Sequence, residues 1–167
     1  MIIGIDPGKT GAIAIMTDAG VLVAVKDLPI ETYTMSSQGK PQWRLAVRPF
    51  VEIVNNADLN GYALTVMIEQ GWARPGEGVS SSYKAGRLMG ALETACMTVR
   101  QVRPCYVLPQ HWKTHFNLIG QEKSASLELA RKYYPDAIDE LSRKKDHNRG
   151  EAILIARYAY ELRARLS

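Results

Sequence analysis

The chain has 167 residues, 46% of them hydrophobic and 23% charged, with a formal net charge of +4; this is an ordinary globular composition, and the length suits one domain over 1–167. No apolar run reaches the roughly 18 residues of a membrane span, the start lacks the basic stretch and small-residue cleavage site of a secretory signal, and two cysteines, Cys96 and Cys105, make no disulfide framework. A reduced, cytoplasmic protein without a membrane partner is expected. Its charge is unevenly spread: nine Lys/Arg balance nine Asp/Glu over 1–100, whereas 101–167 carry twelve against eight. A basic half points to a polyanionic partner or to a solvated face.

The chain opens with Ile2-Ile3-Gly4-Ile5-Asp6-Pro7-Gly8-Lys9-Thr10-Gly11 and then the apolar run Ala12 to Met16. An apolar strand that hands one carboxylate to a Pro-Gly turn and returns as a second strand sets Asp6 at a strand end, although Asp, Pro and Gly also favour tight turns on their own account. The run is not a P-loop. Three residues separate Gly4 from Gly8-Lys9-Thr10 where four are needed, and a strand follows in place of a helix. Strands over 2–6, 12–17 and 21–28 predict an antiparallel meander. Residues 30–44, with Ser36, Ser37, Gly39 and Pro41, predict a loop. Val47, Phe50, Val51, Ile53 and Val54 predict a helix from Leu45 to Ala57, ending near Asn60-Gly61.

Tyr62 to Ile68 is a continuous apolar and β-branched run of the kind a strand buried on both faces shows. It delivers Glu69, which repeats the placement of Asp6. Two strands that each end in an acid, with a helical crossover between them, bring both carboxylates to one end of a mixed sheet. In the glycine-rich loop Trp72 to Gly78, Trp72 suits either base stacking or a lid on the core. Ser80 to Ser82 cap a helix with Tyr83, Leu88, Leu92, Ala95, Cys96 and Val99 on one face, and Gly86 and Gly90 allow another element close.

Tyr106 to Leu108 is a short strand stopped by Pro109. His111 and His115 have the spacing of a zinc helix, but Trp112 replaces the Glu that should follow the first His, so two surface histidines are expected. A helix over 122–133 is stopped by Pro135. Residues 143–151 read Arg-Lys-Lys-Asp-His-Asn-Arg-Gly-Glu and enter a helix with Ile153, Leu154, Ile155, Ala156, Tyr158, Ala159 and Leu162 on its buried face. Asp146, His147 and Glu151 thus gather at a helix start, where Asn148 and Glu151 also have capping-box spacing.

Two strand-end acids and this helix start, within a β-β-β-α-β-α-β-α order, resemble the acidic set of a two-metal nuclease, whose cations stand about 4 Å apart. Mg²⁺ prefers such oxygen ligands. Through Gly4-Ile5-Asp6-Pro7-Gly8, Glu69 with Trp72 three residues on, Lys113, Lys123 and Lys145 to Ala152, nearly the whole chain resembles the RuvC-like Holliday-junction resolvases of the ribonuclease H-like (retroviral integrase) superfamily. That resemblance implies an α/β fold: a mixed five-stranded sheet, antiparallel meander plus parallel strands, flanked by helices. It also implies a Mg²⁺- or Mn²⁺-dependent homodimer with two metals per site and no small-molecule cofactor. Such an enzyme cuts four-way DNA junctions symmetrically in recombination or repair, in a bacterial cell or a phage-infected host.

Carried over by position, Asp6, Glu69 and Glu151 are metal-binding, catalytic acids. The remaining ligand is Asp146 or His147, because the commonest spacing is absent here. His147, four residues before Glu151, shares a helical face with it; Asp146, five before, reaches the site only from a non-helical entry. Trp72 would stack on a base, Lys113 and Lys123 would stand near the scissile phosphate, and Lys9, Arg74, Lys84, Lys144 and Lys145 would touch the DNA backbone. The helix from Tyr83 to Val99 is the expected two-fold interface. The rival readings are an RNA-processing nuclease and a catalytically idle junction-binding protein.

Overall fold

The first strand, β1 (Ile2–Asp6), and its antiparallel neighbour β2 (Ala12–Met16) are buried along their whole lengths, whereas β3 (Leu22–Asp27) is largely exposed. The computed structural model describes residues 1–34, 39–57, 64–71, 76–100 and 102–166. On the other side of β1 lies β6 (Thr65–Glu69), parallel to it with Ile5 opposite Ile68, and beyond that β7 (Cys105–Val107), parallel to β6 with Glu69 opposite Val107. The sheet order is β3-β2-β1-β6-β7. This is the expected mixed sheet, a meander joined to parallel strands.

Alternation along the strands divides the core in two. Ile2, Ala14, Met16 and Met67 pack with α3 (Pro109–His115), α4 (Ser124–Tyr133) and α5 (His147–Leu166). Ile3, Ile5, Ile13 and Ile15 pack on the opposite face with α1 (Val47–Asn56) and α2 (Val79–Arg100). Strands covered on both faces need apolar residues at every position, which is why β1, β2 and β6 read as unbroken hydrophobic runs.

The α5 helix lies directly on β1, and Gly4 permits it. A Cβ at that position would stand 2.8 Å from the Ala156 Cα and would overlap the Ala156 nitrogen and the Ala152 carbonyl oxygen. Gly150 does the same for the α4 crossing, where a Cβ would fall 2.9 Å from the Leu127 Cα.

Two expectations are corrected. Residues 30–44 hold an antiparallel hairpin, β4 (Ile30–Tyr33) and β5 (Gln42–Leu45), with Tyr33 opposite Gln42; its polar look comes from Glu31, Thr32 and Arg44, which are exposed, and residues 35–38 lie outside the described part. The final helix starts at His147, entered from a 3₁₀ turn at Lys144–Asp146. On α2, Leu88, Leu92, Ala95 and Cys96 belong to the chain's own core, so that apolar face is not a surface for a second copy. Gly86 and Gly90 lie on the exposed side, with no atom within 4 Å of where a Cβ would stand.

The two thiols differ. Cys96 is buried, and burial pushes its thiol up to about 11, while Cys105 is exposed on β7. Among the described residues no helix is long and apolar enough to cross a membrane.

Candidate active site

Asp6 closes β1 on the face that looks toward α5, in register with Glu69 at the end of β6, since Gly4 pairs with Met67 and side chains alternate. The contact between Gly4 and the Ala152 carbonyl brings the start of α5 over the same point, and Glu151 is the residue before Ala152. The Asn148 amide ties this helix start to the β1–β2 turn by donating to the Thr10 hydroxyl at 2.9 Å. Three carboxylates from three elements thus meet at one end of the sheet.

Their electrostatics follow from that crowding. Asp6 is only 9% exposed. Burial, then the charges of Glu151 and Glu69, hold its carboxyl well above the ordinary carboxylate range, with Lys113 pulling the other way. The short helix α3 supplies the counterweights: the Lys113 ammonium stands 3.1 Å from Glu151 Oε1, and the fully buried Trp112 donates its indole N–H to Glu69 Oε2 at 2.7 Å. Ser126, on α4, donates its hydroxyl to Glu151 Oε1 at 3.3 Å. Trp112 and Ser126 were not singled out from the sequence. Trp112 and Phe116 have apolar i,i+4 spacing and Ser126 precedes the buried Leu127, which marks a packed face but not the carboxylate either side chain meets.

Asp146 and His147 are separated by their surroundings. Asp146 is 2% exposed and receives the Arg143 backbone N–H on Oδ2 at 2.8 Å and the Arg143 guanidinium on Oδ1 at 2.7 Å. Burial pushes its carboxyl up, but those hydrogen bonds and the Arg143 charge outweigh it, and the net direction is down. It caps the 3₁₀ turn. His147 is the first residue of α5, partly exposed, one helical turn before Glu151.

The remaining positions are scattered. Lys9 and Lys84 line a cleft of about 970 Å³ that reaches Glu69 between the Pro7-Gly8 turn and α2, with Trp43 of β5 on its wall. Lys123 is exposed at the start of α4, three residues before Ser126, and Lys144 and Lys145 are exposed on the 3₁₀ turn. Trp72 and Arg74 lie outside the described residues. His111 is exposed, but His115 is not a surface histidine: its side chain is 16% exposed, and its Nε2 stands 2.6 Å from Glu161 Oε2.

Among the described residues no three His, Cys, Asp or Glu side chains are drawn together closely enough to hold a metal ion; Glu69 faces Trp112, and Glu151 faces Lys113 and Ser126. The donor set nevertheless fits a hard divalent cation, because oxygen ligands surround a buried carboxylate whose pKa is raised by two like charges. A bound cation would offset that repulsion.

C-terminal arginines are paired within the fold, and Asp18 and Asp27 from the first half of the chain offset part of the positive excess. Arg149 pairs with Asp27 at 2.6 Å, Arg157 with Glu161 at 2.8 Å, Arg163 with Asp18 at 2.6 Å and Arg143 with Asp146 at 2.7 Å. Arg131 donates to the Leu141 carbonyl at 2.8 Å.

No family model and no curated protein matches the chain. Solved structures do. The chain superposes on the Thermus thermophilus RuvC structure with a TM-score of 0.53, and on T. thermophilus RuvC in complex with Holliday junction substrate with a TM-score of 0.60. The fold is that of RuvC. Each comparison spans 98% of this chain and 95% or 94% of the RuvC chain, at 18% sequence identity. The likeness to RuvC is therefore carried by the backbone, over nearly the full length of both chains.

Proposed function

We propose that this protein is a divalent-metal-dependent endonuclease that resolves four-way DNA junctions by symmetric phosphodiester hydrolysis. The observation that carries the reading is Asp6: a buried carboxylate at a strand end, its pKa raised by Glu151 and Glu69, with the Lys113 ammonium beside them. The likeness to RuvC bound to a junction supports DNA as the polyanion.

Asp6, Glu69, Glu151 and His147 would hold Mg²⁺ or Mn²⁺, two ions per site. When bound, such ions polarise the phosphodiester and lower the pKa of the attacking water. The chain's own groups do the rest. Trp112 fixes the orientation of Glu69, Ser126 and Lys113 fix Glu151, and the Lys113 ammonium offsets charge that develops on the phosphate. Lys123 plays the same part from the α4 side. Lys9, Lys84, Lys144 and Lys145 hold backbone phosphates, as does Arg74 by position and charge, and Trp72 is assigned to a base at the crossover by resemblance alone.

The test is incubation with a synthetic four-way DNA junction, a linear DNA duplex and an RNA duplex, each with Mg²⁺, Mn²⁺ or chelator. Paired nicks in the DNA junction, dependent on metal, are expected. Cleavage of the RNA alone would replace the reading with RNA processing, and tight junction binding without cleavage would leave a binding protein.

His147→Ala is expected to lower the cleavage rate about 10- to 100-fold with little change in melting temperature. Asp146→Ala should mainly cost stability, about 1–2 kcal/mol from the lost cap, read by denaturant titration; the opposite ranking would return the ligand role to Asp146. Trp112→Phe keeps the ring packing and removes the N–H to Glu69, and should slow cleavage roughly 10-fold for about 1 kcal/mol of stability. Unchanged kinetics would mean that Glu69 needs no such restraint.

Symmetric cutting needs two identical sites related by a two-fold axis. The surface offered for it is the exposed side of α2 toward its C-terminal end, where Gly90 and Met97 share one stripe. Sedimentation should give twice the chain mass, and Gly90→Arg should shift it to the monomer and turn paired cuts into single nicks. A Gly90→Arg protein that stays dimeric would move the interface elsewhere.

A further inference from the structure

The β4–β5 hairpin carries cations that neither core packing nor the acidic site uses. Its Ile30, Trp43 and Leu45 meet the core, and the rest of it lies against α2 as a ladder of charges and rings. Arg44 of β5 stands 5.0 Å from the centre of the Tyr33 ring, Arg87 of α2 stands 5.8 Å from the same ring, and Arg87 is 5.9 Å from the Tyr83 ring. Arg87 Nη1 also donates to the Tyr33 hydroxyl at 2.7 Å. Arg44, Tyr33, Arg87 and Tyr83 therefore alternate cation and ring along an open ledge: the Tyr83 residue is 64% exposed and the Arg44 side chain 52%.

A guanidinium laid against an aromatic face is pre-organised, so binding through it costs less side-chain freedom than binding through a loose lysine. The Tyr33 hydroxyl takes one of the five N–H donors of Arg87. Glu31 takes the Nε edge of Arg44 at 2.5 Å, and with Lys84 the ledge stays net positive. It is also continuous with the site. Trp43 and Lys84 line the groove that holds Arg44 and Arg87, and both line the cleft that reaches Glu69. A polyanion leaving the carboxylates along that cleft, whose walls also carry Glu77 and Glu93, passes Lys84 and then meets the two arginines.

We infer that this ledge binds the phosphate backbone of one duplex arm of the DNA as it leaves the cleavage site. The inference rests on the nuclease reading above. It assigns sequence-independent affinity to the N-terminal half of the chain, where Lys/Arg and Asp/Glu are equal in number, because the fold draws Arg44, Lys84 and Arg87 to one surface.

The test is a titration, in chelator and at several salt concentrations, of four-way DNA junctions with arms of about 5 or about 20 base pairs. Arg44→Gln/Arg87→Gln should weaken binding of the long-armed junction about tenfold or more and reduce the slope of log affinity against log salt by about two. The short-armed junction should be bound as by wild type. Arg44→Gln alone, which breaks an exposed ion pair and the contact with the Tyr33 ring, should lose about one in slope, and Lys132→Gln, which removes an exposed cation on α4 across the sheet from the ledge, should bind as wild type. Wild-type affinity and slope in the double variant overturn the inference, as does an equal loss on both arm lengths or a loss in Lys132→Gln as large as that of the double variant. If the wild type binds neither junction, it is the nuclease reading that fails.

Discussion

Asp6→Asn is expected to reduce junction cleavage on the order of 10³-fold or more, to leave junction affinity within about twofold, and to raise the melting temperature of the metal-free protein. The first two effects follow from separating chemistry at the carboxylates from binding through phosphate contacts. The third follows from burial and from Glu151 and Glu69, which hold the Asp6 carboxyl above its ordinary value. A carboxyl whose pKa is raised by folding contributes stability below the unfolded value, about 3.9, and that contribution is lost as pH rises through the folded value. At neutral pH Asp6 thus costs the metal-free fold stability, and Asn removes that cost. Each kcal/mol recovered is worth about 2–4 °C in a chain of this size. Added Mg²⁺ should raise the melting temperature of the wild type by mass action and that of Asp6→Asn far less. Thermal melts between pH 4 and 8, with chelator or Mg²⁺, read both effects. Near wild-type cutting by Asp6→Asn would end the nuclease assignment, and a variant less stable at every pH would show that Asp6 is not the strained group.

Gly4→Ala should cost about 3 kcal/mol or more, or roughly 6–12 °C in melting temperature, although it adds one methyl group. The obstacle is backbone on the facing helix, the Ala152 carbonyl and the Ala156 nitrogen and Cα, and backbone cannot rotate aside as a long side chain does. The α5 helix must lift from β1. Glu151 then leaves Asp6, so cleavage should fall further than the loss of folded protein explains. Gly8→Ala is the control, since the nearest atom to its Cβ would be the Gly11 nitrogen at an ordinary 3.6 Å, and its melting temperature should barely move. Equal melting temperatures for the two variants would mean that α5 does not rest on β1 as described.

The strands that carry Asp6 and Glu69 were legible because burial on both faces leaves an unbroken apolar run that ends abruptly in an acid. Glu151 was legible from its place at the head of an apolar helix. The hairpin was not, because half of its residues face solvent and its Ser, Gly and Pro residues look like a loop. Spacing favoured His147 over Asp146 but could not show Arg143, whose side chain folds back on Asp146 to close the turn. The charge asymmetry leaves part of its pairing hidden for the same reason. Composition counts Arg143, Arg149, Arg157 and Arg163 as surplus, but it cannot see that Asp18 and Asp27, far earlier in the chain, come round to meet two of them. The Trp112 N–H on Glu69 joins residues 43 apart in sequence, and no local pattern records such a pairing.

The unequal thiols give the molecule a built-in attachment point. A maleimide dye reaches the exposed Cys105, whereas Cys96 is buried and its thiol is held up at about 11. The wild-type chain therefore takes one fluorophore, on the edge strand beside β6, without engineering. Energy transfer from that dye to acceptors on each DNA arm would report how the arms splay while the acids at the end of the neighbouring strand are engaged.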